Sequence, residues 1–254
     1  MSRDERYPVG SVRTTFRIIE ALEQRGSAGV TELADEIALS KSSVHKHLTT
    51  LESLNYVVRD EGTYRLGFRF LGLGNRVRSR SELVSIAKPA IENLSRTAGS
   101  VTNLMVAEHG YGIYAYRAGE QFETSSYLPP VGGRVYLHAT AGGKAILSQL
   151  PDEEVQAVLD RRGLPSLTEK TITDEQALRR ELRSVRDRGL AFERGEHLPS
   201  VQCVAAPVTA SGRPVGAISV SGSIDQMSGK KLEEDLAGLV VSTGNAIEVT
   251  LLQQ

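Results

Sequence analysis

The sequence predicts two domains of different class: a small helix-rich domain that ends in a β-hairpin, then an α+β domain built on an antiparallel sheet. Three observations predict it. Residues 8–66 show three short helical periods and then a two-armed strand pattern. From residue 81 onward, strand-like segments come in pairs with helices between and after them, which suits an antiparallel sheet rather than a doubly wound one. At 254 residues the chain is long for one domain and comfortable for two.

From Ser11 the apolar residues Phe16, Ile19 and Leu22 recur at helical spacing, and Ile18 meets Leu22 across one turn. Gly26 and Gly29 break that helix. Thr31 reads as the N-cap of a short helix, Glu32 to Ile37, whose Leu33 and Ile37 share a face. A tight turn at Ala38-Leu39 leads to Ser40, whose hydroxyl suits the first-turn amides of the next helix. On that helix Val44, Leu48 and Leu51 form one apolar stripe. Tyr56 to Arg59, a turn at Asp60-Glu61-Gly62-Thr63, and Tyr64 to Leu66 then read as a β-hairpin with Arg59 and Arg65 on its arms. Helix, helix, turn, helix and basic hairpin is the order of a winged helix-turn-helix domain, with the helix-turn-helix at about residues 31–50.

The face opposite the stripe is polar and basic. It carries Ser42, Lys46, Thr49 and Thr50, with Ser43, Lys41 and His45 toward its edges, and no acidic residue occurs between Ser40 and Leu51. Such a helix, with free amides at its start, suits a polyanion. The candidate DNA contacts are therefore Lys41, Ser42, Ser43, His45, Lys46 and Thr50, with Arg59 and Arg65 for phosphates at the hairpin. Arg13 and Arg17 fit added phosphate contacts or solvated surface equally well. One basic amphipathic helix alone would read as a solvated face; the full ordered arrangement favours DNA. Charge adds little: residues 1–80 hold 13 Lys and Arg against 10 Asp and Glu, and the remainder 17 against 21.

Residues 67–80 form a linker in which Phe70, Leu71, Leu73 and Val77 read as helical, while each glycine there weakens a helix by about 1 kcal/mol relative to alanine. In residues 81–254 a helix runs from Ser81 to about Ala98 with an interruption near Pro89. Strands are expected at 101–107, 112–117 and 122–128, and helices at 142–149 and 152–160. Thr173-Asp174-Glu175-Gln176 reads as a capping box for a helix to about Arg188. Strands at 190–194, 202–209 and 215–221 follow, with a hairpin turn at Ser211-Gly212-Arg213-Pro214, and a helix from Ser228 to Leu252 ends the pattern.

No apolar run approaches the ~18 residues of a membrane span. The start, Met1-Ser2-Arg3-Asp4-Glu5-Arg6, has no apolar stretch behind it and shows no signal peptide. A single cysteine, Cys203, excludes an internal disulfide and a multi-cysteine zinc site. A cytoplasmic protein without a membrane partner or bound metal is the expectation.

Six runs carry a family resemblance. They are Thr31-Glu32-Leu33-Ala34, Leu39 to Leu48, Tyr64-Arg65-Leu66-Gly67, His138 to Ala145, Gln202 to Val208, and Ala217 to Gly222. In these, in order and across nearly the whole chain, the sequence resembles the IclR-type transcriptional regulators. The resemblance implies a DNA-binding domain, a linker helix, a GAF-like effector-binding domain, and a dimer or dimer of dimers on double-stranded operator DNA. It also implies a repressor whose operator affinity is modulated by a small effector, an organic or aromatic acid or a derivative of one. Carried over to matching positions, effector contacts fall on Ala141, Gly142, Cys203, Ser219 and Ser221, with Tyr127, Val135 and Val201 as an apolar wall. Ser219 and Ser221 alternate along a strand and so share one face. Glu193 stands where the family has an aspartate, so its longer side chain meets either a different ligand group or an arginine. Tyr127 and Tyr136 point weakly to an aromatic effector.

An enzyme with a DNA-binding appendage is the alternative. Gly142-Gly143-Lys144-Ala145 lacks the spacing glycine and the Ser or Thr after lysine that a phosphate loop needs. Cys203 with His138 or His197 fits a thiol nucleophile on residue type alone, against the plainer reading of a buried strand cysteine. No convergent base, nucleophile and orienting group is visible, so no catalytic residue and no cofactor is expected.

Overall fold

The computed structural model describes residues 8–119, 128–227 and 229–253. The chain divides into two compact units, Met1–Val77 and Arg78–Gln254. In the first, α1 (Gly10–Arg25), β1 (Ser27–Gly29), α2 (Val30–Glu36) and α3 (Lys41–Ser53) precede the hairpin strands β2 (Val57–Asp60) and β3 (Thr63–Leu66). Ile18 and Leu22 of α1, Leu33 of α2, and Val44, Leu48 and Leu51 of α3 bury one shared core, so the predicted stripe is the packing surface.

Two local features differ from expectation. The glycine break after α1 is itself a strand: Ala28 pairs with Tyr64, which gives the sheet order β1-β3-β2. Thr31 does not cap α2. The helix starts at Val30, and the Glu32 carboxylate reaches back to accept the Gly29 N–H at 2.7 Å, doing the capping from inside the first turn. Ser40 does cap α3, accepting the Ser43 N–H at 3.2 Å. In the hairpin, Glu61 and Gly62 both have positive φ, 45° and 89°, as a two-residue turn of the type I′ kind requires.

The helix α4 (Arg69–Ser79) forms despite its glycines and buries none of its residues. Its start is tied down within the first unit. Arg69 donates to the Leu54 carbonyl at 2.8 Å and stacks over the Tyr56 ring, which also meets Phe70 at 5.0 Å.

The second unit opens with α5 (Glu82–Ala98), β4 (Val101–Glu108) and β5 (Tyr111–Ala118). It continues through β6 (Arg134–Tyr136), α6 (Ala141–Ser148), α7 (Asp152–Arg162) and α8 (Glu175–Arg188) to β7 (Ala191–Arg194), β8 (Val201–Ala210), β9 (Arg213–Ser223) and α9 (Ala237–Leu252). The strands form one antiparallel six-stranded sheet in the order β6-β5-β4-β9-β8-β7. Its two faces follow strand alternation. Leu104, Val204, Ile218 and Val220 meet α5 and α9 on one side. Met105, Cys203, Ala205 and Ala217 meet α6, α7 and α8 on the other.

Here too there are corrections. The α5 helix continues through Pro89 without a break: Pro89 and Ser85, whose carbonyl loses its partner, both lie on the exposed face, where that carbonyl is open to solvent. The cap of α8 is Asp174, not Thr173: its Oδ1 accepts the Ala177 N–H at 2.8 Å. The strand expected at 122–128 falls almost wholly on residues outside those described, and β6 is a strand the sequence reading did not find. The run Lys231–Leu252, 22 residues, is long and apolar enough to cross a membrane, contrary to expectation. Its Leu232, Leu236, Val240 and Ile247 are buried in this unit's own core.

Candidate DNA-binding face and ligand cavity

On α3 the buried stripe fixes what the other side presents. Lys41, Ser42, His45, Lys46 and Thr50 are exposed and Ser43 is half-buried beside its cap. The first turn of α3 carries no acid, so nothing of like charge opposes a phosphate there. Thr50 spends its hydroxyl proton on the Lys46 carbonyl at 2.9 Å, which leaves it an acceptor rather than a phosphate donor. His47, which the sequence reading did not single out, meets Thr15 Oγ1 at 2.8 Å and ties α3 to α1. Arg17 donates to the Ile37 carbonyl at 2.7 Å, a contact that braces α2.

The two hairpin arginines do not share a face. Register pairs Arg59 with Tyr64 and Val58 with Arg65. Arg59 therefore lies on the side of the buried Tyr64, over whose ring it sits at 5.7 Å, and Arg65 lies on the opposite side.

In the second unit, the sheet face under α6 encloses a cavity of about 20 Å³, room for about one water molecule. Seven residues expected at the effector site line it: Ala141, Gly142, Glu193, Val201, Cys203, Ser219 and Ser221. Tyr127 lies outside the described residues. Val135 is not in the wall; it is buried in the core, where its side chain, Met105 and Leu137 fill the space that a Cβ on Gly112 would need. Met105, Tyr114, Leu128, Thr140 and His197 complete the lining. Sequence reasoning named His197 only as a possible partner for Cys203 and missed the other four, of which only Thr140, an N-cap residue before a helix, has a local signal.

Thr140 caps α6 by accepting the Gly143 N–H at 3.1 Å, so the first turn of the helix, with Ala141 and Gly142, starts at the cavity. The two glycines of the motif have steric reasons. A Cβ on Gly143 would stand 2.2 Å from the Leu137 carbonyl oxygen, and one on Gly142 would stand 3.2 Å from Met105 Sδ. The lysine that follows is no phosphate ligand. Lys144 is 1 % exposed and its Nζ lies 2.7 and 2.9 Å from the two Glu196 oxygens, with Glu181 at 3.6 Å.

Glu193 is 2 % exposed, and among the described residues its partners are backbone amides rather than an arginine. One oxygen, Oε1, accepts the backbone N–H groups of Glu196 at 2.5 Å and His197 at 3.1 Å. Burial outweighs those two bonds and pushes its carboxyl up to about 7. Across the sheet, Asn103 Nδ2 donates to Ser219 and Ser221 at 3.5 and 3.3 Å, and its Oδ1 accepts Arg117 Nε at 2.6 Å. Ser221 donates to Cys203 Sγ at 3.2 Å. Burial pushes the Cys203 thiol up to about 12, so it is held as a thiol rather than the thiolate a nucleophile needs. His138 is engaged elsewhere, with the Pro165 carbonyl at 3.2 Å.

A winged helix-turn-helix unit joined to an α+β unit with a small cavity lined by apolar and a few polar groups defines a DNA-binding transcriptional regulator with a ligand-sensing domain. The comparisons name the family. Residues 11–61 match the IclR helix-turn-helix domain, and residues 75–249 match the bacterial transcriptional regulator IclR C-terminal domain. The chain belongs to the IclR family. It is 31 % identical over 255 residues to the transcriptional repressor IclR of Escherichia coli, covering 95 % of this chain and 90 % of that one. Among solved structures, the Thermotoga maritima IclR superposes with a TM-score of 0.79 at 26 % identity, covering 95 % of this chain and 98 % of that one. An IclR homologue from Microbacterium hydrocarbonoxydans complexed with 4-hydroxybenzoate shares the fold, with a TM-score of 0.79 at 23 % identity over 96 % of this chain and all of that one.

Proposed function

We propose that this regulator is a repressor that binds operator DNA through α3 and the hairpin and is modulated by a small organic acid held in the cavity under α6. The observation that carries the DNA reading is the capped, acid-free start of α3 presenting Lys41, Ser42, His45 and Lys46 to solvent. Ser43 and Thr50 flank that set, and Arg59 and Arg65 meet phosphates unequally, since they lie on opposite sides of the hairpin. The effector reading rests on seven expected residues converging on one small cavity whose mostly apolar wall carries a few polar groups. A ligand larger than water enters it only by displacing the wall. No reaction is assigned to the cavity: burial holds Cys203 as a thiol, and the side chain that meets its sulfur is the Ser221 hydroxyl.

Self-association is part of the proposal. Val9, Val12 and Phe16 are more than half exposed on α1, and Phe68, Leu71, Leu73 and Val77 are exposed along and just before α4. Apolar side chains at i, i+3 and i+7 of a surface helix suit a partner helix, and the occupant proposed is a second copy of this chain, as a dimer or a dimer of dimers.

The test is a salt titration of binding to duplex DNA. Each phosphate contact contributes about 0.9 to the slope of log K against log salt. Lys46→Ala is expected to weaken binding and flatten the slope by about 0.9, with ligand binding by the second unit retained. An unchanged slope would remove Lys46 from the interface, and a slope near zero for the unaltered protein would end the phosphate-contact reading altogether.

A further inference from the structure

Arg117 does not itself line the cavity but stands directly behind its Tyr114 wall. Its Nε is fixed by Asn103 at 2.6 Å, and its guanidinium carbon lies 5.0 Å from the centre of the Tyr114 ring, which is part of the cavity wall. Its Nη2 is buried and hydrogen-bonds to nothing among the described residues. Among the described residues no carboxylate pairs with it, its ring neighbour Tyr114 is a neutral phenol, and burial pulls the guanidinium's affinity for a proton down. The residue as a whole is half-buried, but a buried guanidinium nitrogen with an idle donor is costly unless an acceptor meets it. Through Asn103 the same side chain reaches Ser219 and Ser221, both in the cavity wall. Glu193 closes the other end of this polar row, on β7 against β5 for Arg117, with β4, β9 and β8 between them. The row therefore runs from a cation to a buried carboxyl, and an anionic ligand group belongs at the Arg117 end.

We propose that Arg117 is the specificity-determining anchor of this cavity, binding the carboxylate of a small monocarboxylic acid while Asn103 holds the guanidinium in place. The ligand's second polar group, a hydroxyl or carbonyl, then falls toward the Ser219 and Ser221 hydroxyls. This rests on the reading of the cavity as the effector site and adds to it the ligand's charge and orientation.

The test is calorimetric titration of the full chain with two acid and amide pairs: 4-hydroxybenzoate against 4-hydroxybenzamide, and lactate against lactamide. The expected result is that at least one acid binds more tightly than its amide. Arg117→Gln should cut the acid's affinity on the order of 30-fold while leaving the amide's nearly unchanged. Arg117→Lys, which keeps the charge, should retain part of the acid preference, an outcome that loss of packing alone does not produce. Acid preference that survives in Arg117→Gln overturns the anchor but leaves the effector reading standing. So does equal binding of acid and amide by the unaltered protein. Ser221→Val separates the two levels: acid binding that persists when the cavity is blocked lies elsewhere and overturns both. Absence of binding by either acid also overturns the anchor as an acid-binding group.

Discussion

Removing the ammonium of Lys144 tests how the cavity's floor is held. In Lys144→Met the side-chain volume is nearly kept, so the cost is electrostatic rather than a void. Glu196, buried and facing that ammonium at 2.7 and 2.9 Å, is then left without its main partner. Its carboxyl, already pushed upward by burial, escapes by taking up a proton. Neutralising an ordinary carboxyl at pH 7 costs roughly 3 kcal/mol, which caps the electrostatic penalty. At pH 5 the same neutralisation costs only about 1 kcal/mol. The expected loss on thermal unfolding is about 6–12 °C in Tm near pH 7, shrinking toward pH 5. Combining Lys144→Met with Glu196→Gln removes both charges, and the pair should be less destabilising than the sum of the two single changes by about 2 kcal/mol. A Lys144→Met protein within about 1 kcal/mol of the parent near pH 7, or strictly additive behaviour in the double variant, would refute the reasoning, since a buried ion pair does not lose one partner at so small a cost.

Other consequences are as direct. Because Glu193 carries a raised carboxyl, about 7 against an ordinary 4.5, the folded state holds that proton when the unfolded chain has lost it. Its contribution to stability is complete below about 4.5 and is lost as pH rises through about 7, on the order of 3 kcal/mol in all. Glu193→Gln should flatten the stability profile over that window in urea unfolding, and an unaltered slope would mean that another group sets it. Gly143→Ala places a Cβ against the Leu137 backbone at 2.2 Å, so α6 must shift. A loss of at least about 2 kcal/mol is expected from such overpacking, and a neutral result would show that α6 is free to move.

Which parts were legible in the sequence follows from the range of the interactions. The α3 helix was readable because its cap, its turn and its apolar stripe are all local, and Ser40, Ala38 and Leu39, and Val44, Leu48 and Leu51 agree on one register. Thr31 misled because Glu32, one residue on, caps from within the helix and makes a hydroxyl at the start unnecessary. β1 was missed because three small residues become a strand only when Tyr64 offers them an edge. In the second unit, strand pairing was legible as a class but its register was not. The irregularity between Leu104 and Met105 shifts the pairing so that Asn103 opposes Arg117 while Met105 opposes Tyr114, and no local signal gives that. The Lys144–Glu196 pair spans 52 residues of sequence, and the motif around Lys144 drew attention to phosphate chemistry instead. Glu193 was flagged by resemblance alone, and its actual partners, the amides three and four residues on, belong to a turn at Gly195 whose φ of 83° favours glycine.

These contacts also tie the wall of the cavity together through one residue, Glu196. Glu196 gives its backbone N–H to Glu193 and its carboxylate to Lys144. Lys144 belongs to α6, whose first residues, Ala141 and Gly142, form the opposite wall. Glu196 and Thr171 are linked as well, through the Glu196 carbonyl at 2.6 Å, which fastens the loop before α8 to the same point. A ligand that meets Glu193 on one side and the α6 amides on the other therefore bridges two ends of a chain of bonds that already closes through Glu196. Regulation asks that ligand binding favour one arrangement of the protein over another by typically ~1–3 kcal/mol. A wall tied in this way transmits a displacement at Glu193 to α6 instead of absorbing it locally. Substitutions at Glu193, Glu196 and Lys144 are for that reason expected to be non-additive in ligand affinity, while changes on α3, in the other compact unit, should combine with them additively in stability.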